Sequence, residues 1–315
     1  MDNSNNTTHK TQWNIVLLFV ALEWLGAIPF MFHPDGINRD NAPFFLLLSN
    51  IIPIFLLWQR VFGTRTNKEI SWIQYCRDNL GLSVRTIDTG YKQYLTTFLL
   101  CVGFSTTIIL VNQLLGHIHI AMNADFWQFQ GFQQWLDITF QRFATEKQII
   151  IPAVPMYPST FALYAMGLSL ILPWITWILL LPEELIWRGW LLPELQKKHE
   201  IKHSLYLSST LYILAMLPIS WIQYHSISYI LALFLLSWIL GWYRTQGSLV
   251  LSSFVFAVLI SIYPWHIIVQ GYNDPIDNYT EYFGWDGWIG VLCLLVWHLY
   301  IVFFSKQLPK NSTTS

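Results

Sequence analysis

Leu181-Pro182-Glu183-Glu184-Leu185-Ile186-Trp187-Arg188-Gly189 sets two adjacent carboxyls and a guanidinium inside a run that otherwise reads as a membrane-spanning helix. An ionisable side chain at bilayer depth costs about 2.5–3.5 kcal/mol on insertion scales, so three together imply mutual pairing, a water-filled cavity or a chemical centre. Glu184 and Arg188 are four apart and share a helix face, which predicts an ion pair, while Glu183 projects about 100° away and is expected to stay free. A free carboxylate within reach of a water can act as a general base. Pro182 has no N–H to give the carbonyl of Ile178, so the helix is expected to loosen just before the carboxyls.

The rest of the chain supplies the membrane setting. Only 11% of the 315 residues are charged and 54% are hydrophobic, against roughly 25% charged in an average soluble domain. Runs long enough to span, about 20 residues each, fall near 13–33, 43–62, 93–115, 161–192, 203–221, 226–245, 248–270 and 286–304. The expected fold is therefore an all-α polytopic membrane protein with about eight transmembrane helices. Lysine and arginine collect on cytoplasmic loops. An N-in, C-in arrangement puts Lys10, the group from Arg60 to Lys92, Lys197, Lys198, Lys202, Arg244, Lys306 and Lys310 on that side. Only Arg39, Arg142 and Lys147 fall opposite, beside the acidic loop carrying Asp274, Asp277, Glu281 and Asp286. The first span lacks a small-residue cleavage site and reads as a signal anchor.

Composition excludes other classes. A net charge of −1 gives no reason for nucleic-acid binding. Cys76, Cys101 and Cys293 have no metal-ligand spacing, so neither a metal nor a disulfide framework is expected, and no cofactor is implied. Along the chain, 1–12 reads as a disordered tail, 13–115 as a three-helix scaffold and 116–160 as an aromatic-rich outer loop or interfacial helix. Residues 161–270 read as the functional core, 271–305 as an outer loop with the last span, and 306–315 as a second disordered tail. The loop at about 63–92 has the mixed pattern of a headgroup-level surface helix or an ordinary connector. His266 and His298 read as belt or packing residues.

Glu183-Glu184-Leu185-Ile186-Trp187-Arg188-Gly189, followed by Trp190-Leu191-Leu192-Pro193, closely resembles the first motif of the CPBP family, over about 160–262. That family comprises type II CAAX prenyl endopeptidases, bacteriocin-processing and immunity proteins, and proteins like the lysostaphin resistance protein. The resemblance implies a glutamic intramembrane protease bundle with Glu183, Glu184 and Arg188 as catalytic residues. Ser208-Ser209-Thr210-Leu211-Tyr212-Ile213-Leu214-Ala215-Met216 resembles the second motif, with Tyr212 at its aromatic position and Met216 where the family has histidine. Counting on from Gly241-Trp242-Tyr243-Arg244 puts Phe256 and Ile260 at the histidine and asparagine positions of the third motif.

If the fourth and fifth spans form a hairpin, Glu183 and Met216 lie at matching depth, each about 24 Å from a turn near Lys198 to Lys202. Methionine, phenylalanine and isoleucine neither exchange a proton nor donate to an oxyanion. A general acid/base partner is worth about 10²–10⁴ in rate and one oxyanion donor about 10²–10³. Tyr212, Ser209 and Ser253 are the expected cavity-lining polar residues. Ser252 offers a further hydroxyl, and Glu23 in the first span is a candidate to approach the cluster.

The sequence thus points to a CPBP-like intramembrane protein, catalytically impaired, that binds a membrane protein or a lipidated or membrane-proximal peptide. The alternative is an active glutamic endopeptidase using Glu183 and Glu184 with an altered proton partner. A purely structural ion-pair network is the third reading, and buried pairs are poor stabilisers relative to apolar packing. The expected location is a bacterial inner membrane.

Overall fold

The computed structural model describes residues 4–31, 47–63, 87–115, 119–120, 173–178, 180–224, 227–246, 249–261, 269–270 and 287–304, with the single positions 71, 74, 80 and 171. Its helices are α1 (Ser4–Met31), α2 (Ile52–Gly63, entered through a π-helical turn Leu47–Ile51) and α3 (Ile87–Leu114). Next come α4 (180–196), α5 (Ile201–Tyr224), α6 (Ile227–Gln246), α7 (Leu249–Ser261) and α8 (Trp288–Phe304).

The arrangement is a helical bundle centred on α5 and α6, which pack against each other, with α1 on the far side of α5 and α7 and α8 against α6. α3 closes the second side by packing on α7 and α8. Two apolar clusters result. One joins α3, α6, α7 and α8 through Cys101, Phe104, Leu236, Ile239, Val255 and Leu294. The other joins α1, α2, α4 and α5 through Phe19, Leu57, Trp187, Leu191 and Tyr212, and it takes in Leu80. Gly241 permits the close approach between α4, α5 and α6, since a Cβ there would stand 2.8 Å from Leu205 Cδ2 and 3.6 Å from Leu192 Cδ2.

The outward faces are apolar as well. Leu99 on α3 and Leu292, Val296 and Phe303 on α8 are 58%, 59%, 66% and 74% exposed, a surface suited to hydrocarbon and not to water. Tyr94–Asn112 and Ile227–Gln246 are each long and apolar enough to cross a membrane, and four shorter apolar helices accompany them among the described residues. Hydroxyls on these helices satisfy themselves locally. Thr106, Thr107, Ser209 and Thr210 each donate to the carbonyl four residues back, which removes an otherwise costly polar group from lipid or core.

Several boundaries differ from the sequence reading. α1 begins at Ser4, inside the stretch expected to be a disordered tail; extending an existing helix costs far less than nucleating one, so polar residues joined to an apolar span can propagate it. The expected span 248–270 is helical as far as Ser261. Val269–Gln270 then pairs antiparallel with His119–Ile120, a two-residue ladder the all-α reading lacked. Leu80, in the expected surface connector, is 1% exposed and sits in the second core cluster. Most of the outer loop 116–160, the loop before α8 and the tail 306–315 lie outside the described residues.

Candidate active site

The site grows out of an irregularity in α4. Its first residues are α-helical through Glu184, and from Leu185 to Leu191 the helix is π-helical, with Leu192 N–H bonded to Trp187 carbonyl oxygen. The widening begins three residues after Pro182 and follows both carboxyls, not just before them where the missing proline N–H predicts it. Gly189 lies on this widened turn against α7 and Leu80, and a Cβ there would come 3.3 Å from Leu249 Cδ2.

Glu184 and Arg188 form the ion pair that their spacing predicts, with Nη1 donating to Oε1 at 2.7 Å. Both are buried, at 0% and 1% exposure. The second oxygen of Glu184 accepts from Ser252 Oγ of α7 at 3.1 Å, so this carboxyl is bonded at both oxygens. The guanidinium carbon of Arg188 stands 4.3 Å over the ring of Tyr212, a cation–π contact in a desolvated setting. Trp187 meets the same ring edge-on at 5.6 Å.

Glu183 is not free. Tyr212 Oη donates to its Oε1 at 2.5 Å, so the aromatic residue of the second motif is the partner, not Met216. Met216 lies one turn further along α5 and packs, half-buried, at the margin of the second apolar cluster. The depth count assumed α-helical rise throughout α4. A π-helical stretch fits more residues into a given length, which brings Glu183 nearer the 197–200 turn and opposite Tyr212. Glu183 keeps partial exposure while Glu184 has none.

The other expected positions separate. Ser209 bonds within its own helix, to Leu205. Ser253 accepts from Trp177 Nε1 at 2.6 Å and donates to Leu249. Ser252, one residue away, is the hydroxyl that reaches the carboxyls. Phe256 is buried in the first apolar cluster, away from the one holding Tyr212 and Met216. Ile260 lies in α7, with its side chain outside the described residues. His298 is buried and pairs with Tyr206 Oη at 3.2 Å and with the Trp238 ring, in keeping with a packing role. His266 and His225 lie outside the described residues. Among the described residues no histidine contacts either motif glutamate, and no group of His, Cys, Asp and Glu is arranged to hold a metal ion.

Glu23 of α1 does join the neighbourhood. It is 4% exposed and within electrostatic reach of Glu183. A backbone vacancy explains how α1 is held there. Pro218 cannot donate to the carbonyl of Leu214, and Trp24 Nε1 takes that oxygen at 2.9 Å, the kind of rescue a proline in a membrane helix requires.

Residues 165–262 match the family model described as type II CAAX prenyl endopeptidase Rce1-like. That segment, about a third of the chain, is similar to this family. No curated protein and no solved structure matches the chain. The Rce1-like segment spans Glu183, Glu184, Arg188, Tyr212 and Ser252, and the apolar helices around it suit a membrane setting. Glu23 and all of α1 lie outside the Rce1-like segment.

Proposed function

We propose that this protein is a catalytically impaired member of the CAAX-protease-like group, with about eight spans and both termini cytoplasmic. In a bacterial inner membrane it binds a membrane protein or a lipidated, membrane-proximal peptide beside Glu183. One observation carries the reading. The carboxyl that would activate a water is instead bonded to the phenol of Tyr212, and the residues at the family's proton-exchanging positions are Met216 and Phe256. The cluster retains the means to bind a polar group, and among the described residues no histidine stands beside it to cycle a proton.

The partial exposure of Glu183 favours the alternative, an active glutamic endopeptidase with an altered proton partner. One experiment separates the two. The purified chain is reconstituted in lipid nanodiscs and incubated with a fluorogenic prenylated CAAX peptide. Retention of the intact peptide is expected; hydrolysis that disappears in Glu183→Gln would overturn the impaired reading.

A further inference from the structure

Three carboxyls stand in one buried neighbourhood with a single guanidinium. Glu184 holds Arg188. Glu183 receives a neutral hydroxyl from Tyr212. Glu23 is adjacent in α1 to Trp24, which bonds the carbonyl of Leu214, two residues past the Tyr212 that bonds Glu183, and its buried Oε2 has no hydrogen-bond partner among the described residues. An unpartnered buried acceptor beside a second carboxyl is costly unless a donor, above all a charged one, arrives to fill it. The half-exposed side of Glu183 leaves a way in.

We propose that Glu23 and Glu183 together form a binding site for an ammonium group, the side chain of a lysine carried at mid-bilayer depth by a membrane-spanning segment of the partner. This deepens the binding reading above and rests on it. Three features select that ligand. Carboxyls select a cation, and among the described residues no group of three His, Cys, Asp or Glu is arranged to hold a metal ion. The ring of Tyr212, whose hydroxyl bonds Glu183, already faces one cation at 4.3 Å, an aromatic setting of the kind that favours ammonium groups. Depth selects the source: Glu183 is more than three helical turns above the 197–200 turn, well below lipid headgroups at that face, so a side chain within a span is the fitting donor. The site also joins the two parts of the protein, because Glu183 belongs to the Rce1-like segment and Glu23 to α1.

The test uses the full chain in phosphatidylcholine nanodiscs. Two dansyl-labelled, leucine-rich spanning peptides are compared, one with a central lysine and one with glutamine there, and binding is read by energy transfer from the protein's tryptophans. The lysine peptide is expected to bind at least about tenfold more tightly. Glu23→Gln and Glu183→Gln are each expected to reduce that preference below about threefold. Glu23→Asp keeps the charge and is expected to retain most of the preference, which separates charge recognition from misfolding. Equal affinity of wild type for the two peptides would overturn the proposal, as would a full preference surviving in both glutamine variants. Cleavage of either peptide would overturn the impaired reading instead, leaving the lysine preference to be judged on affinity.

Discussion

Tyr212 Oη donates a hydrogen bond to Glu183 Oε1 while the face of the same ring lies 4.3 Å from the guanidinium carbon of Arg188. One side chain on α5 therefore touches both arms of the motif on α4. Its hydroxyl holds the glutamate that the pattern leaves free, and its ring covers the arginine that the other glutamate holds. The two contacts can be separated by chemistry, because phenylalanine keeps the ring and loses only the donor.

Tyr212→Phe is expected to destabilise the fold by about 1–3 kcal/mol, the cost of leaving a buried acceptor without its donor. In a double-mutant cycle with Glu183→Gln the two changes should couple by about 0.5–3 kcal/mol, since both act on one bond. Reversible unfolding in mixed micelles measures both quantities, and strict additivity would show that the bond contributes nothing.

Arg188→Ala should cost more, about 3–5 kcal/mol, because it strands Glu184 at 0% exposure with only Ser252 as donor. Removing both charges, as in Arg188→Met with Glu184→Leu, should cost less than Arg188→Ala alone. The same unfolding assay gives the comparison, and a double variant less stable than the single one would contradict a desolvation origin.

Trp24→Phe is expected to lose about 1 kcal/mol by abandoning the carbonyl of Leu214. In a Pro218→Ala background that loss should shrink, because the backbone N–H restored at position 218 can take the same carbonyl. An unchanged penalty in the two backgrounds would separate Trp24 from the proline vacancy.

Gly241→Ala should destabilise by about 1–3 kcal/mol through overpacking, as its Cβ would stand 2.8 Å from Leu205 Cδ2. Leu205→Val withdraws that methyl and should recover part of the loss when combined with Gly241→Ala. Thermal unfolding of the two single variants and the double variant checks the recovery.

Met216→His alone is expected to remain inactive, since the third-motif positions stay apolar. Adding Phe256→His and Ile260→Asn restores residues individually worth about 10²–10⁴ in rate, and weak hydrolysis abolished by Glu183→Gln is the expected gain. The fluorogenic prenylated peptide measures it.

The fourfold spacing of Glu184 and Arg188 was enough to foretell their ion pair, because partners on one helix need no knowledge of another. Pro182 predicts a loosening just before the carboxyls, whereas 180–184 are α-helical and the π-helical run Leu185–Leu191 follows them. That run is why Glu183 meets Tyr212, one turn short of Met216. Ser252 was harder to single out. Adjacent serines on α7 point about 100° apart, and only the rotation of that helix shows that Ser252 meets Glu184 while Ser253 meets Trp177.

Contacts within a single helix follow from chain geometry, and the preference of apolar side chains for lipid or core follows from composition. The sequence by itself therefore determined a helical membrane protein with a segment similar to the Rce1-like family, the position of its charged motif, and the apolar residues at the resembled motif positions. Tertiary structure decided which side chains answer the carboxyls: Tyr212 for Glu183, Ser252 for Glu184, and Glu23 arriving from outside the Rce1-like segment. Those choices depend on the rotation and axial offset of separate helices, set by packing summed over many apolar contacts, including the approach at Gly241 and the Trp24 bond left open by Pro218.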